Sequence, residues 1–227
     1  MDAEVIRTVH FVAETADWIA GRIVSAQENG GIFRLSLCGG STPKPVYAAL
    51  AQRDEIDWER VLLTFGDERC VAPEDERSNF RMAREALLDP VGMTFANVMR
   101  IPGEMDPAEA AARCELHLQK LARLAGEPIF VHDLILLGMG DDGHTASLFP
   151  GTEALEEKER WVVANFIPKF DAYRITFTYP LIAAAKEVAF LVNGKAKQKV
   201  VEKVLAGNSA FPASRIEAGK GYWLIGE

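Results

Sequence analysis

The 227-residue chain has little cysteine: Cys38, Cys70 and Cys114 only, with no CxxC pair and no Cys/His spacing that suits zinc. An odd, scattered set reads as reduced thiols, and a cytoplasmic protein is expected. Long hydrophobic runs are missing. The longest apolar stretches break after about five residues, far short of a bilayer span. The opening MDAEVIRTVHF has an acid at position 2 and no apolar core, so it does not read as a signal peptide, and no membrane partner is expected. There is no basic block. Lys and Arg total 25 against 33 Asp and Glu, a formal charge of −8, which argues against a nucleic-acid surface. That balance leaves room for a small anion, because local positive charge outvotes the total within a Debye length. No linker, repeat or low-complexity tract divides the chain, and a single domain over residues 1–227 is expected. With 48% apolar residues, such a chain can bury a core without disulfide or metal staples.

What is present alternates between short apolar runs and helical patterns. Strands are expected at Ile32–Leu37, Val61–Phe65, Phe130–Leu137, Trp161–Phe166, Arg174–Thr178, Glu187–Val192 and Tyr222–Ile225. VLLTF and LILL are apolar on consecutive residues, the pattern of strands covered on both faces and hence of a parallel sheet. Between them, Val12, Ala16, Ile19, Ile23 and Ala26 recur at helical steps before Gly30-Gly31. Asp106-Pro107 opens a second helix, Ser78 caps a third that runs to Leu88, and a fourth is expected over Lys195–Leu205. The fold class that follows is α/β, a mostly parallel sheet with helices on both faces, whose ligand site lies at the carboxyl ends of strands.

Three loops that follow strands carry chemistry. Cys38-Gly39-Gly40-Ser41-Thr42-Pro43 brings paired glycines, two hydroxyls and a helix start to one point, a cradle suited to phosphate. It lacks the GxxxxGK[ST] spacing of a Walker loop. Gly66-Asp67-Glu68-Arg69 places three charges at a strand end, where Arg69 can meet a phosphate, a carboxylate or a developing oxyanion; the alternative is a solvated turn with a local Asp–Arg pair. In Gly138-Met139-Gly140-Asp141-Asp142-Gly143-His144, the GxGxxG match is not a dinucleotide loop, because Pro150-Gly151 cuts off the helix such a loop opens. The loop reads instead as a tight turn that holds His144 beside carboxylates, the setting of a general base. His10, His117 and His132 read as structural or exposed. No GxSxG elbow is present, and Cys70 lacks an evident base partner.

Together the segments CGGSTPKPVYAAL, FGDERCVAPEDERSNFRMAREALL, LGMGDDGHTASLFPGT, IPKFDAYRITFTYPLI and NGKAKQ resemble the 6-phosphogluconolactonase family. The resemblance implies the Rossmann-like fold shared with sugar-phosphate isomerases and deaminases. It also implies hydrolysis of 6-phospho-D-glucono-1,5-lactone in the oxidative pentose phosphate pathway, with neither metal nor organic cofactor. Carried over, His144, Asp142 and Arg69 are the catalytic set. Gly39, Gly40, Ser41, Thr42, Asp67, Lys169, Arg174 and Lys195 are the substrate-binding positions. The partner implied is a phosphosugar lactone, with the chain a monomer or small homo-oligomer. Cys38 departs from the Ser more usual before Gly-Gly-Ser-Thr-Pro. The related glucosamine-6-phosphate deaminase/isomerase activity is the alternative. Those enzymes typically show Asp-Glu-Tyr where this chain has Asp67-Glu68-Arg69, and Asn-Glu-Pro-Gly where it has Leu148-Phe149-Pro150-Gly151. A non-catalytic sugar-phosphate sensor is the third reading.

Overall fold

A computed structural model describes residues 3–194 and 197–227. Six parallel strands form the main sheet: β1 (Ala3–Thr8), β2 (Phe33–Leu37), β3 (Val61–Phe65), β5 (Leu134–Leu137), β8 (Glu187–Asn193) and β9 (Lys220–Gly226). Their spatial order is β1-β9-β8-β5-β2-β3. The four side chains of β5 are fully buried, as a strand covered on both faces requires. The helices are α1 (Phe11–Glu28), α2 (Pro43–Leu50), α3 (Asn79–Ala83, continued by a π-helical turn over Arg84–Leu88), α4 (Pro107–Ala125), α5 (Tyr179–Ala183) and α6 (Gln198–Leu205). Asp106 caps α4 by accepting the N–H groups of Ala108 and Glu109, and Ser78 caps α3 by accepting from Arg81 N–H. None of the described helices is long and apolar enough to cross a membrane.

A second sheet, absent from the sequence-based expectation, is antiparallel and has the order β4-β7-β6. It comprises β4 (Asp67–Arg69), β6 (Val162–Ile167) and β7 (Ala172–Phe177). Asp67–Arg69 is therefore a strand and not part of a loop. It pairs Asp67 with Thr176, Glu68 with Ile175 and Arg69 with Arg174. Three adjacent charges are tolerated there because two find donors. Glu68 accepts from the N–H groups of Arg69, Asn79 and Phe80 and from the Ser78 hydroxyl. Asp67 accepts from Ser147 Oγ and Asn79 Nδ2. The expected local Asp–Arg pair does not form.

One other expectation changes. The strand expected from Phe130 begins only at Leu134, because the Asp133 carboxylate takes the Arg34 N–H at 2.8 Å and so occupies the place of a ladder acceptor. His10 lies beyond β1 as the N-cap position of α1.

The order of the main sheet positions the site. From β2 the chain moves outward to β3, then returns to β5 on the other side of β2. The loops after β2 and β5 thus flank the point where strand order reverses, the usual ligand crevice of such sheets. β4 starts one residue after β3, and the Phe177 N–H donates to Gly66 O, so the small sheet hangs from the same rim.

Candidate active site

At this rim lies a cavity of about 230 Å³, and the three loops named from sequence meet in it. The first wall is the turn after β2. Tyr47 on α2 fixes its origin, since the hydroxyl accepts the Cys38 N–H and donates to Cys38 O, both at 2.9 Å. Gly39 is needed next, because the Asn79 amide occupies the space that a Cβ would fill. Gly40, Ser41, Thr42 and Pro43 complete the wall as the chain enters α2, so backbone amides and two hydroxyls border the cavity.

The second wall is the small sheet. Arg69 on β4 and Arg174 on β7 both line the cavity, with the nearly buried Asp67 carboxylate between the sheets. Arg69 donates to the Arg77 carbonyl, and its buried Nε has no partner among the described residues. Arg174 has no ion-pair partner among the described residues. Its guanidinium carbon lies 5.0 Å from the Phe170 ring centroid and 5.6 Å from that of Phe149. Burial holds the Arg174 pKa below its ordinary value, opposed by the charge of Asp67.

The third wall carries the imidazole. The turn is closed by Gly140 N–H to His144 O and by Thr145 Oγ1 to Gly138 O. His144 Nδ1 lies 2.5 Å from Asp142 Oδ1, and its ring fills the space above Gly140 where any side chain would collide with it. Burial pushes the imidazole pKa below its ordinary 6.5, while the hydrogen bond and charge of Asp142 work against that shift. For Asp142, burial raises the carboxyl, but the contacts of His144 and then Lys169 outweigh it and leave a net lowering. The arrangement is a neutral imidazole near pH 7. With Nδ1–H committed to Asp142, Nε2 is left as the basic nitrogen.

The expected residues fall into four groups. His144, Arg69, Gly39, Gly40, Ser41, Thr42, Asp67 and Arg174 share the cavity. Asp142 stands behind the imidazole. Lys169 does not line the cavity: its exposed ammonium meets Asp142 Oδ2 at 3.3 Å, a place set by the β6–β7 hairpin that carries it. Lys195 lies outside the described residues. Among the described residues, the lysine that reaches the cavity is Lys197, whose ammonium donates to Met139 O at 2.7 Å. It belongs to the same NGKAKQ segment and stands directly before α6, a signal the sequence reading passed over. Among the described residues no group of three or more His, Cys, Asp and Glu is placed to hold a metal ion. Burial pushes the Cys70 thiol up to about 11, so it is not an activated thiolate.

A family model described as glucosamine-6-phosphate isomerases/6-phosphogluconolactonase matches residues 7–225. The chain is 40% identical over 219 residues to the 6-phosphogluconolactonase of Nostoc sp., covering 94% of this chain and 90% of that one. It is 35% identical over 211 residues to that of Haemophilus influenzae, covering 90% and 88%. Among solved structures, 6-phosphogluconolactonase from Thermotoga maritima superposes with a TM-score of 0.88 at 25% identity over all of both chains. The enzyme of that name from Trypanosoma brucei gives 0.81 at 26% identity, covering 99% of this chain and 96% of that one.

Proposed function

The chain belongs to the glucosamine-6-phosphate isomerase/6-phosphogluconolactonase family, and on that footing we propose that it hydrolyses 6-phospho-D-glucono-1,5-lactone to 6-phospho-D-gluconate. The observation that carries the reading is the pairing, within one cavity, of a neutral imidazole with three cations, Arg69, Arg174 and Lys197.

The phosphate of the substrate settles among the cations and the Gly39–Thr42 amides, which turns attack at the lactone carbonyl into an oriented, nearly unimolecular event. His144 Nε2 takes a proton from water as the oxygen bonds to C1. The tetrahedral oxyanion is stabilised by Arg69 or by turn amides. As the C1–ring oxygen bond breaks, the imidazolium returns its proton to the departing oxygen, and the free carboxylic acid then ionises. Asp142 holds Nδ1–H throughout and stabilises the charged imidazole. A six-membered lactone is an activated ester, and this mechanism calls on no metal.

The deaminase reading finds less support. It needs a further proton carrier for ring opening, and one face of His144 meets the hydrocarbon ring of Phe149. The test is acid release from freshly prepared lactone above its spontaneous rate. Ammonia release from glucosamine 6-phosphate, or micromolar binding without turnover, would replace this reading with one of its rivals.

A further inference from the structure

Phe149 is absent from the lining of the cavity, yet it touches two groups that matter there. Its ring lies almost parallel to the His144 imidazole, with centroids 3.8 Å apart and 19° between the planes. The Arg174 guanidinium carbon stands 5.6 Å from the centroid of the same ring. Phe170 completes the arrangement, edge-on to Phe149 at 5.7 Å and 5.0 Å from Arg174. Phe149 is 3% exposed. Its carbonyl accepts from both the N–H and the hydroxyl of Thr152, and Asn165 on β6 in turn donates to that hydroxyl.

We propose that Phe149 is a positioning residue for two functional groups at once: one ring sets the plane of the His144 imidazole and, with Phe170, supports the Arg174 guanidinium, so that base and anion ligand are registered against a single hydrocarbon surface. The inference rests on the roles given above to His144 and Arg174. The hydrogen bond to Asp142 restrains the imidazole at Nδ1 alone, and a flat neighbour narrows what is left of its broad second side-chain torsion. A carboxylate beside Arg174 would hold the guanidinium but cancel the charge a phosphate needs. Aromatic faces attract the cation without neutralising it. The covering ring also keeps water from one face of the imidazole, in keeping with its lowered pKa. The charged groups around that ring are Asp142 on its own loop, Asp67 on β4 and Arg174 on β7, with Lys169 beyond Asp142.

The test compares Phe149→Leu with Phe170→Leu, read by NMR titration of the His144 imidazole and by calorimetry with inorganic phosphate, neither of which needs turnover. In Phe149→Leu the imidazole midpoint moves up towards its ordinary value, phosphate binds several-fold more weakly, and kcat falls about tenfold or more. In Phe170→Leu, at an exposed position that folding tolerates, phosphate affinity weakens while the imidazole midpoint stays at the wild-type value. A Phe149→Leu protein that melts earlier but keeps both the midpoint and the phosphate affinity would overturn the proposal and leave the ring as filling. If wild type fails to hydrolyse the lactone while both shifts appear, the reaction assigned above falls and the positioning role stands.

Discussion

Arg69 and Arg174 stand directly opposite each other in the antiparallel ladder of β4 and β7, two guanidinium groups with no carboxylate paired to either among the described residues. Like charges in that position destabilise a strand pair. A fold retains such a pair readily when an anion comes between them.

Arg174→Gln therefore trades affinity for stability. The melting temperature is expected to hold or rise. KM for the lactone rises about 10–100-fold, the loss of one charge-assisted hydrogen bond to phosphate. A drop in melting temperature with unchanged KM would place Arg174 in the scaffold instead.

His144→Ala removes the proposed base while leaving the cations in place. kcat should fall by about 10²–10⁴ with KM little changed, as measured by acid release. An undiminished kcat takes His144 out of the reaction.

The pH profile follows from the same imidazole. Because burial holds its pKa below 6.5, kcat/KM should be level above neutrality and decline only as pH drops through that lowered value. Asp142 acts in the opposite direction, raising the imidazole pKa. Asp142→Asn should therefore push the acid limb to still lower pH and lower the plateau, because the imidazolium loses its counter-charge. An acid limb that shifts upward in this variant contradicts the assignment.

His132 makes the fold acid-sensitive. It is fully buried, with Nε2 2.9 Å from Thr64 Oγ1, and burial pushes its pKa down to about 3. The unfolded chain takes up this proton near pH 6.5, where the native imidazole refuses it. Stability that His132 contributes at pH 7 is thus lost as pH falls from about 6.5 towards 3, and the loss levels off below. In urea titrations, the advantage of wild type over His132→Gln should shrink across that window. A pH-independent gap between the two would show that the native imidazole accepts the proton freely.

Much of this was legible because the signals are local. VLLTF is a strand from its first to its last residue, Asp106 caps where its Pro-containing start predicts, and the glycine turns after β2 and β5 sit at strand ends as patterned. The cavity joins loops whose residue types each pointed to it. What stayed hidden depends on partners distant in sequence. Asp67-Glu68-Arg69 looks like a turn until β7 pairs with it and Ser78–Phe80 satisfy Glu68. Lys169 and Lys197 are alike as isolated basic residues. Only the path of the β6–β7 hairpin and the start of α6 turn one towards Asp142 and the other into the cavity. Phe149 carried no sign of its stacking, because an apolar residue before Pro-Gly reads as core.

Cys38 forms part of the cavity wall, but its thiol is almost fully covered, lies against the Tyr47 hydroxyl and is pushed up by burial to about 12. Cys114 is likewise buried and raised to about 12. Iodoacetamide and similar alkylating reagents, which consume thiolate, find almost none in the folded protein. At Cys38 and Cys114 their labelling rate then reports how often the chain opens. Inhibitors that seek a covalent hold here will need some handle other than sulfur.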